Sequence, residues 1–216
     1  MCWNPDISIN TFIFACLTLV FIYITNTFTK YKTPLFNNPL YYLLFLAIAS
    51  MQLVEYFLWK NLKNKKRNIF LSKFAPFVIM LQQIIIMLII PNTTIRYTLL
   101  VTYAIFLILY KLYSPIVNAY TTVGKNGHLK WEWADFKGLG LPWLVAWLFF
   151  YIVPVLCIQN WLFTVCILPI LFISMYFFYK YKTYTTIWCW AINLCLLFFI
   201  VNILLIQPYQ EYKKLC

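Results

Sequence analysis

Acidic and other charged side chains are scarce in this sequence. Of its 216 residues, 5 are Asp or Glu and 10% are charged, whereas 64% are apolar and the mean hydropathy is +0.79. A soluble domain normally has about a quarter charged residues. A chain of this size cannot hide so much apolar surface in its own interior. The composition therefore excludes an ordinary soluble domain and predicts an integral membrane protein.

Histidine and cysteine motifs are equally sparse. The single His, His128, excludes seven-helix zinc hydrolases of the ceramidase and progestin-receptor kind, which need several His on helices. The 7 Cys form no CxxC pair and no spacing typical of a disulfide framework. The last apolar run contains no Lys, which excludes a retinal Schiff base of the microbial rhodopsin kind. Since no nucleotide-binding or hydrolase motif occurs either, we predict no catalytic residue, no metal and no cofactor.

What the chain does have is long apolar runs. About 20 mostly apolar residues are needed to cross the hydrocarbon layer. Seven segments meet this length: 7–28, 40–59, 70–90, 95–114, 139–159, 161–179 and 185–206. The sequence thus predicts an all-α membrane protein in which residues 1–216 form a single bundle of about seven transmembrane helices.

The formal net charge of +12 reflects loops rich in Lys and Arg. No stretch presents a basic face on a polar element, so we predict the lipid bilayer as partner and no nucleic acid. The side that holds the N-terminus receives Lys60, Lys63, Lys65, Lys66, Arg67, Lys73, Lys111, Lys125, Lys130, Lys137, Lys180 and Lys182. The other side receives Lys30, Lys32, Arg96, Lys213 and Lys214. Because cytosolic loops are enriched in basic residues, this distribution predicts a cytosolic N-terminus and an external or lumenal C-terminus.

Small polar residues form a stripe along the first predicted helix. Asn4, Pro5 and Asp6 are typical of a helix start, with a capping side chain, a first-turn proline and a favourable charge. The residues of the stripe recur at steps of three and four: Ser8, Thr11, Ala15, Thr18, Thr25 and Thr29. Such a stripe serves either as a packing seam or as a pore lining, in which Thr11 and Thr18 would be functional.

The segment between the fourth and fifth predicted helices has a different pattern. Asn126-Gly127 is a strong signal for a two-residue hairpin turn. Leu129, Trp131 and Trp133 then alternate with polar residues and would share one face of a strand. We predict a short hairpin that lays its tryptophans on the membrane interface, either as anchors or as part of a ligand site.

His128 lies at the tip of this predicted hairpin. A solvated side chain is expected there. An acid–base or metal cluster of His128 with Glu132 and Asp135 is the alternative.

Glu55 is the one acidic residue inside a predicted span. A carboxylate in hydrocarbon is costly, and such residues usually face the bundle interior or a wet cavity. Gln52 lies on the same side of the helix, and Gln82 and Gln83 lie near the middle of the next span, where their amides need hydrogen-bond partners. Gln52 and Glu55 are candidate partners. Alternatively, Glu55 pairs with Lys60 or reaches the membrane interface.

Three stretches of the chain resemble a known family. They are Met1-Cys2-Trp3-Asn4, Glu55-Tyr56-Phe57-Leu58-Trp59-Lys60-Asn61 and Gly127-His128-Leu129-Lys130-Trp131-Glu132-Trp133. Together they are similar to multi-pass membrane proteins that are common in giant viruses and also occur in algae. The resemblance implies a viral protein with a shared fold, and no activity is established for the family. The chain departs from it at Leu81-Gln82-Gln83-Ile84, where a Gln-Pro pair is expected.

Two functions from different classes follow as hypotheses. The first is a small transporter, channel or small-ligand receptor with a polar cavity lined by Gln52, Glu55, Gln82 and the Thr stripe. It predicts a continuous wet pocket that reaches Glu55. The second is a structural or scaffolding protein of a viral or host membrane. An intramembrane enzyme has the least support, because no nucleophile–base pair is visible. A small-molecule or lipid ligand and a homo-oligomer are compatible with either hypothesis.

Overall fold

The fold is an all-α bundle, as predicted. A computed structural model of the chain describes residues 4–113, 120–131 and 141–215. Its α-helices are α1 (Pro5–Phe28), α2 (Pro39–Lys60), α3 (Lys65–Ile89), α4 (Thr93–Tyr113), α5 (Leu141–Cys157), α6 (Trp161–Phe178), α7 (Tyr184–Ala191), α8 (Asn193–Val201) and α9 (Gln207–Leu215). The strands β1 (Thr122–Val123) and β2 (Leu129–Lys130) lie between α4 and α5.

Six helical segments of the described residues are long and apolar enough to cross a membrane. They are Pro5–Phe28, Pro39–Lys60, Lys65–Ile89, Thr93–Leu112, Trp161–Tyr181 and Tyr184–Lys214, the last containing α7, α8 and most of α9. The remaining predicted span, 139–159, corresponds to α5, which has 17 residues and a length of about 25 Å at 1.5 Å per residue. It ends early because Gln159 adopts a left-handed backbone conformation with φ 56°.

The two ends of the bundle are defined by contacts between loops. At one end, here called the hairpin end, Tyr120 donates to the Leu62 carbonyl and Asn126 donates to Thr183. At the other, here called the C-terminal end, Tyr31 and Lys30 both bind Glu211 of α9, and Gln207 donates to the Lys32 carbonyl.

The helices of the described residues therefore run between the two ends of the bundle seven times. Helix α1 begins at the hairpin end, α9 lies at the C-terminal end, and α5 runs from the hairpin end to the start of α6. The short α5 connects the same two ends as the longer helices. This places the loops with most of the basic residues at the hairpin end, apart from Lys137, which lies outside the described residues.

The first helix begins as predicted. The Asn4 side chain accepts a hydrogen bond from the Ile7 amide at 2.8 Å, Pro5 opens the helix, and Asp6 lies in the first turn. Along the stripe, Ser8, Ala15, Thr18 and Thr25 are buried in a helix that packs against α2 and α8. Their burial is the arrangement expected of a packing seam.

Candidate functional site

Gln82 and Gln83 of α3 are both fully buried and bind different neighbouring helices. The Gln82 amide donates to the Ala47 carbonyl of α2 at 3.2 Å, and its oxygen accepts from the Tyr151 hydroxyl of α5 at 2.7 Å. The Gln83 oxygen accepts from the Tyr103 hydroxyl of α4 at 2.5 Å, and its amide donates to the Trp147 carbonyl at 3.1 Å. The two adjacent amides thereby tie α3 to three other helices.

These partners include residues that the sequence did not single out. Gln52 and Glu55 were the candidate partners for the amides of Gln82 and Gln83. The structure shows tyrosines of α4 and α5 and two backbone carbonyls in this role. Neither tyrosine could be singled out beforehand, because a Tyr in an apolar helix is as often an interfacial anchor as a buried donor.

Glu55 lies in the bundle interior rather than at the membrane surface. Its side chain and that of Gln52 have no exposed area. The Cys189 thiol of α7 lies near both Glu55 and Gln82. Glu55 is therefore connected to Gln82 through Cys189, and α2, α3, α5 and α7 meet at this polar cluster. We call Gln52, Glu55, Gln82, Tyr151 and Cys189 the central cluster.

The interpretations of Glu55 as an interfacial carboxylate or as the partner of Lys60 are wrong. Lys60 is exposed, and its ammonium lies over the Tyr56 ring, 5.8 Å from the ring centre. The ion pair that the described residues do form joins Lys30 to Glu211, at the C-terminal end. Because side chains at adjacent helical positions point about 100° apart, Glu55 can turn inward while Tyr56 and Lys60 remain at the surface.

Thr11 and Thr18 do not hydrogen bond to the central cluster in the described structure. The Thr11 hydroxyl is half-buried and donates to the Ile7 carbonyl of its own helix at 2.7 Å. Thr18 is 2% exposed on the face of α1 that packs against neighbouring helices. Their placement supports the packing interpretation of the stripe.

The hairpin forms between α4 and α5, with β1 and β2 antiparallel and Val123 opposite Leu129. Its turn is longer than predicted. Gly124 donates to the His128 carbonyl at 2.7 Å and Gly127 donates to the Gly124 carbonyl, which leaves a three-residue loop. Gly127 has φ 77°, the left-handed conformation that closes such loops and that favours glycine.

The hairpin packs into the end of the bundle. Leu129 and Trp131 have no exposed area, and the Trp131 ring nitrogen donates to the Thr186 hydroxyl of α7 at 2.8 Å. The Trp131 amide also donates to the Lys182 carbonyl. The expected display of Trp131 to the membrane interface is therefore wrong, because the apolar face of the hairpin covers protein rather than lipid. Glu132, Trp133 and Asp135 lie outside the described residues.

A second set of contacts fastens the other side of the hairpin to α3. Asn68 is fully buried, donates to the Thr121 carbonyl and accepts from the Thr121 amide, both at 2.9 Å. The Ser72 and Thr121 hydroxyls are 2.6 Å apart. The hairpin thus bridges α3 and α7 at the end of the bundle nearer to Glu55. Sequence reasoning missed Asn68 and Thr186, although both are polar residues near predicted helix starts.

His128 is buried, with 3% of its surface exposed, although a solvated side chain was expected. Its ring packs edge-on against Phe178 at 5.9 Å. Burial lowers the pKa of His128 to about 4. No group of three or more potential metal ligands occurs within the described residues.

The buried His128 predicts acid sensitivity of the fold. Between pH 6.5 and 4 the unfolded chain binds a proton at His128 and the folded chain does not, so stability falls as pH decreases, by up to about 1.4 kcal/mol per pH unit. Thermal unfolding in detergent at pH 5 and pH 7 should show a smaller difference for His128→Gln than for the wild type. An equal difference in both proteins would contradict this assignment.

Two cavities of the described structure lie between helices. A cleft of about 30 Å³, enough for about one water, lies between α3, α4 and α5 and is bordered by Gln83 and Tyr103. An open apolar groove of about 550 Å³ lies between α1 and α2, beside Cys16 and Tyr23. Neither of these two cavities is lined by Glu55, so they do not form the continuous wet pocket that the first hypothesis predicted.

Comparisons of the chain with family models, curated proteins and solved structures give no match. The resemblance to multi-pass proteins of giant viruses and algae therefore stays a prediction. The site must be interpreted from its own geometry.

Proposed function

We propose that this multi-pass membrane protein is a transporter or receptor for a small cationic solute or for protons, with the central cluster as its binding site. The observation that carries the proposal is the complete burial of Glu55 and Gln52 in a bundle of apolar helices. Ionisable groups at such positions are rare and usually belong to solute or proton pathways. Cys189, Gln82 and Tyr151 extend the polar surface from Glu55 toward the middle of the bundle.

The hairpin supports a gated site rather than an open channel. Trp131 is buried against Thr186, which precedes Cys189 by one helical turn on α7. The hairpin therefore covers the end of the bundle nearer to Glu55. Access from that side requires the hairpin to move, which is the behaviour of alternating-access transporters and receptors.

The distribution of charge supports an orientation. The loops at the hairpin end contain most of the Lys and Arg residues, and the loops at the C-terminal end contain few. We propose that the hairpin end faces the cytosol, in line with the enrichment of basic residues in cytosolic loops. Labelling of single cysteines engineered at Lys125 and Lys213 with a membrane-impermeant maleimide tests this orientation.

Flux measurements in liposomes test the proposed function. Vesicles that contain the protein and a pH-sensitive dye are exposed to a potassium gradient, and proton and potassium movements are recorded. We expect flux in the wild type and its loss in Glu55→Gln, because the neutral amide keeps the shape of the side chain but removes its charge. Glu211→Gln, which changes a partly exposed carboxylate at the C-terminal end, is the matched control and should keep the flux.

A structural role in a viral or host membrane is the second candidate. The side chains of Gln82 and Gln83 hydrogen bond to neighbouring helices. These bonds favour the structural role, because they join helices without any ligand. Flux of equal size in Glu55→Gln and the wild type would remove Glu55 from the proposal. Absence of flux in the wild type for both ions would exclude an ion transporter and leave the receptor and the structural role.

A further inference from the structure

Two cysteines on different helices lie in contact within the bundle. The Cys195 thiol of α8 is 3.3 Å from the Cys166 carbonyl oxygen of α6, to which it donates. Both cysteines are reduced in the structure, Cys195 is 4% exposed and Cys166 is half-buried. The Cys195 sulfur therefore lies against Cys166 although the two residues are far apart in sequence.

A disulfide is the product that suits this location. Thiolates and thiolate-bound metal ions carry charge, which is costly to place among apolar helices. A disulfide has no charge and no hydrogen-bond donor, so its burial leaves no polar group unsatisfied. Cys166 is half-buried, so an oxidant dissolved in the lipid phase can reach it. A water-soluble reagent that attacks thiolates would react slowly, because buried thiols stay protonated and out of contact with water.

We propose that Cys166 and Cys195 are a reversible redox site, at which a lipid-permeant two-electron acceptor of the quinone or azodicarboxamide class joins α6 to α8 by a disulfide. Each thiol loses its hydrogen and one sulfur–sulfur bond forms. The acceptor takes up the two electrons and two protons and becomes a hydroquinone or a hydrazine. The bond would hold α8 against α6 and so restrain the last span, which also contains Cys189 of the central cluster.

Oxidation of the full chain in liposomes tests this inference. The protein is treated with diamide, an azodicarboxamide, and then denatured, alkylated and digested for mass spectrometry. We expect one cross-linked peptide pair that contains Cys166 and Cys195, and two fewer alkylated cysteines per chain. Dithiothreitol should restore both thiols. Cys166→Ser and Cys195→Ser should each abolish this product.

Cys157→Ser and Cys16→Ser are the matched controls, because Cys157 and Cys16 are also half-buried free thiols. Both variants should retain the cross-link. Full alkylation of Cys166 and Cys195 after diamide treatment would overturn the proposal, as would equal cross-linking of Cys166 to Cys157 or Cys16. Circular dichroism of each Ser variant checks that loss of the product does not reflect unfolding.

Discussion

Replacement of Trp131 by Ala is expected to destabilise the protein by about 3–5 kcal/mol, the usual cost of removing a fully buried large aromatic side chain. Trp131 has no exposed area and fills the space between the hairpin and α7. Because the hairpin lies outside the spanning helices, the lost contacts are not replaced by lipid. The free energy of unfolding, measured in detergent with a chemical denaturant, provides the test.

The same replacement is expected to open the hairpin end. Cys189 lies one turn from Thr186 and is fully buried. In a variant with Cys189 as its single cysteine, Trp131→Ala should make this thiol reactive toward a water-soluble maleimide. Trp131→Phe keeps most of the ring but loses the hydrogen bond to Thr186, so its effect on stability should be about 1 kcal/mol.

Trp161→Ala is the matched control for both measurements. Trp161 is 75% exposed at the start of α6, near the C-terminal end. This variant should leave the unfolding free energy and the reactivity of Cys189 close to those of the parent. If Trp131→Ala leaves Cys189 as unreactive as before while the protein stays folded, the hairpin does not control access to the central cluster.

Replacement of Gln82 by Leu is expected to cost about 1–3 kcal/mol, because it leaves the buried Tyr151 hydroxyl without its acceptor. Tyr151→Phe removes the same hydrogen bond from the other side and leaves the buried Gln82 oxygen without this donor, so its cost should be similar, about 1–3 kcal/mol. Unfolding in mixed detergent micelles provides both values.

A double-mutant cycle isolates this bond. If Gln82 and Tyr151 act as a pair, the variant with both changes should lose less stability than the sum of the single variants. Strict additivity would show that the contact between the two side chains contributes nothing. The result also bears on the structural hypothesis, since strong coupling at Gln82 identifies helix association as one of its roles.

The sequence was sufficient to predict the architecture. A transmembrane helix satisfies its own backbone, and its length and composition follow from the thickness and polarity of the bilayer, so apolar runs indicate spans without knowledge of their neighbours. Two further features could be predicted from short stretches of sequence: the start of α1 at Asn4 and Pro5, and the hairpin around Gly127. Each depends on a few consecutive residues.

The central cluster could be predicted only in part. The sequence identified Glu55, Gln52, Gln82 and Gln83, because polar residues in apolar runs are unusual wherever they occur. It did not identify Tyr151, Tyr103 or Cys189 as their neighbours. These residue types are common in apolar helices, and their roles depend on which faces of α3, α4, α5 and α7 meet.

The few charges and long apolar runs of the sequence therefore predicted an all-α bundle whose helices are long and apolar enough to cross a membrane. Only the tertiary structure decided that Glu55 turns away from Lys60, that Trp131 covers Thr186 instead of facing lipid, and that Cys166 meets Cys195. The physical reason is that insertion into a bilayer depends on each segment alone. The environment of a polar side chain depends on contacts between segments far apart in the chain.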